Sequence, residues 1–257
     1  MTGERPEHLE RRRVLVEMEA KVEALQIHEL DISQLKELKI DIQPMSLHGT
    51  SARKPFFFLP HAKLPEPEDE RLSELHGAWD DPEETCFIFP SDHAHQVETV
   101  FADYAFHFTI TGEADFTPWS VKSVGDYTPY KSVYGFAQPE FGTFHLTDIS
   151  GGKFPHSKAV IYNDVEAHNQ HLLRGELLIL LRIMLGQMRK RRFLHHMIAP
   201  ILLISFMGKR GRVIEGYFDG ERLIMGCTDL YNMRDQTAMA LKDFAEWYLG
   251  QPTGDTA

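Results

Sequence analysis

Three acidic residues in the last third of the chain have the chemistry needed to hold a divalent cation. Glu176 stands in a long apolar stripe, and Glu215 and Asp219 follow in a strand-like run and the turn after it. Carboxylates gathered around Mg²⁺ polarise a phosphate and activate water for hydrolysis. Glu176 is therefore a candidate site carboxylate, and strand alternation places Glu215 and, at the end of its run, Asp219 on one face.

The position of Glu176 also allows a purely structural role. A carboxylate buried in an apolar environment is costly unless it is paired, protonated or bound to a cation. Ion pairs that hold a fold together are common, and they perturb ionisable groups as active sites do. The alternative is therefore that Glu176 pairs with an arginine or caps a neighbouring backbone group.

A long buried helix is expected to position Glu176. Leucine and methionine recur at helical intervals along Leu172–Met188. The arginines of this segment fall together on one narrow side, which leaves little surface for water: Arg174, Arg182 and Arg189. Asp164 is the predicted N-cap, and the basic run Arg189–Arg192 suits the negative end of the helix dipole.

Three strands and another helix are predicted to follow. Ile201–Met207 is an uninterrupted apolar run, typical of a strand that is buried on both faces. Arg212–Phe218 and Glu221–Cys227 flank Asp219–Gly220, which is a strong signal for a β-hairpin. An amphipathic helix then starts at Asp235.

The resulting order of helix, three strands and helix resembles the core of the PD-(D/E)XK nuclease-like superfamily over residues 164–250. The resemblance implies a helix glutamate, a strand aspartate and an acid-x-lysine pair around a divalent cation. Glu176 stands at the helix position, and Glu215 or Asp219 could stand for the strand acid. The resemblance therefore implies Glu176, Glu215 and Asp219 as candidate catalytic residues, with Glu176 and Asp219 as candidate metal ligands. The acid-x-lysine signature is absent, because neither Glu215 nor Glu221 is followed two residues later by a lysine.

Short sequence segments in the same half of the chain are also similar to uncharacterised filamentous-fungal proteins with a degenerate nuclease-like core. The segments that carry the likeness are Arg174–Leu178, Tyr217–Gly220 and Leu230–Asn232. This second resemblance implies no activity.

The charge balance argues against an extensive nucleic-acid surface. The chain of 257 residues carries 38 acidic and 27 basic side chains, a formal net charge of −11. A broad phosphate-binding surface needs clustered basic residues. The cluster at Arg189–Arg192 could make a local one, but it is equally explained by the end of a helix.

The remaining composition predicts a soluble protein of the cytoplasm or nucleus. The two cysteines, Cys86 and Cys227, do not make a disulfide framework. No apolar run is long enough to span a membrane, and the charged N-terminus lacks the pattern of a secretory signal. We therefore expect no membrane partner.

The first 45 residues are expected to form a helical arm beside a single α/β domain of residues 46–257, whose core is 164–250. Glu7–Leu25 has the periodicity of an amphipathic helix, and a second short helix should begin near Asp31. The arm could dock on the domain or support a homodimer through its first helix. Docking is favoured because the pattern is too short for a coiled coil.

The middle of the chain is expected to be more irregular. Pro55–Pro60 suits an extended segment laid over the core, and the acidic stretch Pro65–Asp81 suits a mobile surface loop with a helical turn inside it. A helix capped by Ser91 or Asp92 should be followed by a strand at Phe106–Thr111.

Aromatic residues are concentrated between Phe116 and Phe144 and could line a small-molecule pocket. Four of them are predicted to form its lining: Trp119, Tyr127, Tyr130 and Tyr134. The alternative is a satellite hydrophobic cluster under a long loop, which is the more common arrangement.

A set of histidines near this segment has some of the character of a metal site. His93 and His95, with Glu98 and His145, are similar to the metal-binding set of cupin barrels. Two histidines at alternate strand positions can face one metal, but here the periodicity favours a helix, on which His93 and His95 diverge. A polar helix start is therefore the favoured interpretation.

Together these patterns predict an α/β or α+β protein: a central buried helix on a small mixed sheet of restriction-endonuclease-like type, with N-terminal helices and an aromatic-rich β/loop segment. The leading functional hypothesis is a catalytically degenerate nuclease-like fold that acts as an intracellular binding or scaffold protein without a cofactor. One alternative is an active Mg²⁺-dependent nuclease in which Lys209 or Arg222 replaces the missing lysine. Another is a small-molecule isomerase, cyclase or hydrolase with its pocket in residues 116–144.

Overall fold

Helices and strands are interspersed along the chain. The computed structural model describes residues 4–48, 53–61, 64–80, 88–111, 118–124, 131–169 and 171–257. The described helices are α1 Pro6–Ala24, α2 Ile32–Glu37, α3 Asp69–Asp80, α4 Pro90–Thr111, α5 Arg174–Met188 and α6 Thr237–Leu249. The described strands are β1 Glu29–Leu30, β2 Ile40–Pro44, β3 Phe58–Leu59, β4 Trp119–Lys122, β5 Phe141–Ile149, β6 Ser157–Asn163, β7 Leu172–Leu173, β8 Ile201–Met207, β9 Arg210–Phe218, β10 Leu223–Cys227, β11 Tyr231–Asn232 and β12 Gln251–Pro252. None of these helices is long and apolar enough to span a membrane.

Eight of the described strands form one mixed sheet. Their order across it is β2-β10-β9-β8-β6-β5-β4, with β11 paired to β9. The pairs β2–β10 and β6–β8 are parallel, and the other neighbours are antiparallel. The crossover between β6 and β8 contains α5, because a parallel pair cannot be joined by a tight turn.

Helices cover both faces of this sheet and create a hydrophobic cluster on each. α5 packs on one face, with α1 against it. α4 and α6 pack on the other face, where Phe206 of β8 contacts Phe101 and Phe244. Because both faces are covered, every residue of Ile201–Met207 is buried, which confirms the strand predicted there.

The predicted central helix is α5, and all of Gly175–Met188 is buried. The helix begins at Arg174 and not after Asp164, because Leu172–Leu173 form β7 and pair with β1. The predicted N-cap therefore has another role. The Asp164 carboxylate accepts the Ser91 N–H at 2.9 Å, near the start of α4.

Residues 4–45 pack against the main sheet and α5 and do not form a separate arm. β2 is an edge strand of the main sheet, parallel to β10, and α1 lies against α5. Three apolar side chains of α1 are buried in this contact: Leu15, Met18 and Val22. A homodimer through α1 would therefore have to use the charged side of the helix.

The interface between α1 and α5 also contains buried charge. Arg182 is 5% exposed and donates to Glu19 at 2.9 Å and to Glu23 at 2.6 Å. Arg174 donates to the backbone carbonyls of Val22 and Glu23 at the end of α1. α1 thus covers the side of α5 that carries the arginines, which the helical periodicity had predicted to be exposed to solvent.

Two segments that were predicted as a loop and a strand are helical, because their apolar side chains recur at helical spacing. Within the predicted acidic loop, Asp69–Asp80 forms α3, whose Leu75 is buried. The strand predicted at Phe106–Thr111 is wrong, because α4 continues to Thr111. The buried residues in this part of α4 recur at helical spacing: Phe101, Ala105 and Phe108.

A buried cation anchors the end of α6. Lys158 of β6 is fully buried, and its ammonium donates to three carbonyls at 2.8–3.0 Å: Trp247, Tyr248 and Gly250. The Trp119 ring lies 4.0 Å from the same ammonium. Burial lowers the pKa of Lys158 well below its usual value, and the carbonyls at a helix C-terminus favour a cation there.

Replacing Glu19 by alanine should weaken the α1–α5 interface. The variant leaves the Arg182 guanidinium buried with one acid fewer, so we expect the free energy of unfolding to fall by about 2–3 kcal/mol in urea denaturation. Glu17→Ala is the matched control, because Glu17 is on the same helix, half exposed, and pairs with Arg13 at the surface. An equal loss in both variants would contradict this account of the interface.

Candidate functional site

A buried ion pair joins the start of α5 to β9. Arg212 donates to Glu176 through Nε at 2.9 Å and through Nη2, so both carboxylate oxygens are engaged. Glu176 also accepts the Leu173 N–H at 2.9 Å, and Arg212 donates to the His171 carbonyl at 2.9 Å. The two side chains are 0% and 2% exposed. Glu176 is thus an ion-pair partner and a cap of its own helix.

Glu176 keeps its partner Arg212 charged. Burial by itself would lower the pKa of Arg212, but the charge and hydrogen bonds of Glu176 outweigh burial and hold that pKa above its usual value. Two-point contact between guanidinium and carboxylate is the strongest form of such a pair. A metal ion at Glu176 would therefore have to compete with Arg212.

Glu215 holds a different part of the chain. It is 0% exposed in β9, and its two oxygens accept the N–H groups of Phe57 and Phe56 at 2.7 and 2.8 Å. These phenylalanines belong to residues 55–59, which we call the strap. Its strand β3 pairs with β12, in agreement with the extended segment predicted at Pro55–Pro60. Burial raises the pKa of Glu215, and the two N–H groups partly oppose that shift.

The sheet separates the three candidate catalytic acids. Alternation along β9 turns Arg212 toward α5, where it meets Glu176, and turns Glu215 to the opposite face of the sheet. Asp219 lies in the β9–β10 turn, where its carboxylate accepts two backbone N–H groups at 2.7 and 2.8 Å. Glu176 and Asp219 therefore do not form the predicted metal pair. Within the described residues, no group of three or more His, Cys, Asp or Glu side chains could hold a metal ion.

The residues suggested as substitutes for the missing lysine lie away from Glu176. The Lys209 ammonium is at the β8–β9 turn, 5.0 Å from the Trp79 ring, and Arg222 is at the other end of β9 beside an open groove. Arg212 is the cation that reaches the acid. No clear sequence signal identifies it, because Arg212 follows Lys209 and Arg210 in one basic cluster.

Of the four aromatic residues predicted to line one pocket, the structure describes two, and it places these two apart. Tyr127 and Tyr130 lie outside the described residues. Trp119 lies beside the last residue of β5, whereas Tyr134 packs on Gly142 near its first residue. Since a strand rises about 3.3 Å per residue, Trp119 and Tyr134 stand at opposite ends of β5.

Of the four residues similar to a cupin metal set, the structure joins two. The Nε2 atom of His145 in β5 lies 2.6 Å from Oε1 of Glu98 in α4. His95 lies against the Tyr162 ring instead, and His93 lies toward α3. The two histidines diverge because both are on α4, as the periodicity predicted.

Comparison with known proteins identifies no relative of this chain. No protein-family model, no curated protein and no solved structure matches it. The functional proposals below therefore rest on the contacts of the described residues.

Replacing Glu176 by glutamine should destabilise the protein strongly. Glutamine keeps the volume but leaves the Arg212 charge buried without compensation, so we expect the free energy of unfolding to fall by about 3–5 kcal/mol. Urea denaturation followed by circular dichroism measures the change. The double variant Glu176→Gln/Arg212→Met removes both charges and should recover part of the lost unfolding free energy. If the double variant recovers none of it, the ion pair is not the source of the loss.

A buried histidine beside the strap makes the fold sensitive to acid. His156 is fully buried against the rings of Phe57 and Phe58, and its Nε2 lies 3.0 Å from the Thr253 carbonyl. Burial lowers the pKa of His156 from 6.5 to about 4. The unfolded chain therefore takes up this proton at a higher pH than the folded protein. The stabilising contribution is complete above pH 6.5 and is lost as the pH falls toward 4.

Acidification from pH 7 to pH 4 should remove roughly 3 kcal/mol of stability through His156. His156→Gln keeps a hydrogen-bond donor that does not titrate, so its unfolding free energy should depend less on pH over this interval. His95→Gln, which changes an exposed histidine of α4, is the control and should keep the native dependence. A His156→Gln profile as steep as that of the native protein would contradict the assignment.

Proposed function

We propose that this protein is a binding or scaffold protein, built on a nuclease-like core whose acidic positions serve structural contacts. The observation that carries the proposal is the Glu176–Arg212 pair. The acid at the helix position of the resemblance is engaged by a strand arginine, and Glu215 faces away from it across the sheet.

The order of elements supports the nuclease-like part of the proposal. Among the described elements, helix, three strands and helix occur as α5–β8–β9–β10–α6, and again as α4–β4–β5–β6–α5, if the two-residue strands β11 and β7 are set aside. In each unit the three strands are antiparallel neighbours in the main sheet. The two units share α5.

The acids of the second unit are arranged like those of the first. Glu98 of α4 contacts His145 on the α4 side of the sheet. Asp148 of β5 is 2% exposed on the α5 side and has three cations at 2.9–3.1 Å: Lys122, Lys190 and Arg192. In both units the helix acid and the strand acid are thus on opposite faces of the sheet, and each is engaged by contacts within the protein, which favours binding over metal-dependent hydrolysis.

Calorimetric titration with Mg²⁺ and Mn²⁺ tests the proposal. On the binding proposal, the native protein and Glu176→Gln both take up these ions more weakly than about 1 mM, and the variant differs only in stability. Glu215→Gln is the control for an acid on the other face. Metal-dependent cleavage of DNA or RNA that disappears in Glu176→Gln would overturn the proposal in favour of an active nuclease.

A further inference from the structure

A cleft of about 290 Å³ lies between α4 and the acidic segment that precedes α3. One wall is Pro65–Glu68, and α4 supplies Val100, Tyr104 and Phe108 to the lining, with Leu241 of α6. This volume is at the lower end of those that hold small ligands in proteins. The cleft is therefore large enough for one side chain or one small molecule.

Hydrogen bonds attach the wall to the helices beside it. The Tyr104 hydroxyl donates to the Pro65 carbonyl, and the Leu64 N–H donates to the Glu246 carboxylate of α6 at 3.0 Å. The sequence predicted a mobile loop at this point. These contacts instead make the wall a defined side of a preformed cleft.

The rim of the cleft carries more acid than base. Glu66, Glu68 and Asp103 belong to the lining, with Arg71, which lies 3.5 Å from Asp103. Lys242 pairs with Glu66, so three carboxylates and two cations leave a net charge of −1 when His107 is neutral. Glu68 and Asp103 are exposed at the surface. A cationic ligand would meet attraction at the rim before it reached the apolar lining.

The ring of Tyr104 lies in the same negative environment. Burial raises the pKa of its hydroxyl, and the carboxylates of Glu246 and Glu66 raise that pKa further. The face of an aromatic ring attracts cations through its quadrupole. Acidic side chains and ring face therefore favour the same kind of ligand.

We propose that this cleft binds an organic cation, an ammonium or guanidinium group carried on an apolar stem. The charged head lies against Glu68 and Asp103, and the stem packs on Val100, Tyr104 and Phe108. The inference rests on the proposed binding function and names its ligand class. Two sources carry this chemistry: a free amine, and a lysine or arginine side chain of a partner peptide.

Titration calorimetry with matched probes tests the cleft. Hexylamine and 1-hexanol share an apolar stem and differ in charge, so the amine should bind at least about tenfold more tightly. A short peptide with one arginine among apolar residues, and the same peptide with citrulline, form the second arm. Binding of the amine alone identifies a free amine as the ligand, and binding of the arginine peptide alone identifies a peptide.

Variants locate the binding in the cleft. Glu68→Gln and Asp103→Asn should each weaken binding by about two- to fivefold, the range for partly exposed ion pairs, and Val100→Trp should block it by filling the space. Glu70→Gln, with the same charge change outside the lining, is the control, and melting curves check that each variant is folded.

Three outcomes would overturn the inference: no probe binds, hexanol binds as well as hexylamine, or Glu70→Gln and Glu68→Gln weaken binding equally. The Mg²⁺ and Mn²⁺ titrations concern acids at the sheet and do not depend on this cleft. A failure here is therefore distinguishable from a failure of the proposed function.

Discussion

The Glu176–Arg212 pair is the interaction on which the placement of α5 depends. Two buried charges between a helix and a sheet are tolerated because the guanidinium and the carboxylate share two hydrogen bonds. Each side chain also makes a hydrogen bond to the backbone. The pair holds the first turn of α5 on β9. Gly216 of the same strand lets the helix approach, since a Cβ there would lie 2.4 Å from Leu180 Cδ1. α5 in turn connects β6 to β8 and supports α1.

Other buried acids of this protein act in the same way, each tying together elements that are far apart in sequence. Glu215 holds the strap, Asp148 joins β5 to β4 and to the end of α5, and Glu19 holds α1. A desolvated carboxylate requires such partners, so acids that could have formed one hydrolytic centre are distributed as separate anchors on two faces of the sheet. Negative charge that is not used in this way collects at the surface, and at the cleft beside α4 it adjoins an apolar lining.

Sequence patterns predicted the elements near Glu176 well and its environment only in part. The buried strand Ile201–Met207, the hairpin at Asp219–Gly220 and the burial of Glu176 itself follow from spacing and turn chemistry. The ion pair was one of two alternatives, and its partner was not identified. The strand expected at Phe106–Thr111 failed because a short alternating run also fits a helix whose buried face continues from Phe101.

By itself, the sequence determined the buried helix, the buried strand and the hairpin around Glu176, and that an acid in an apolar helix must be compensated. These properties depend on residues within a few positions of one another. Only the tertiary structure decided that Arg212 compensates Glu176, that Glu215 points away from both, and that α1 covers the arginines of α5. Those outcomes depend on which sheet face each helix covers and on contacts across long stretches of chain, and local spacing carries no information about either.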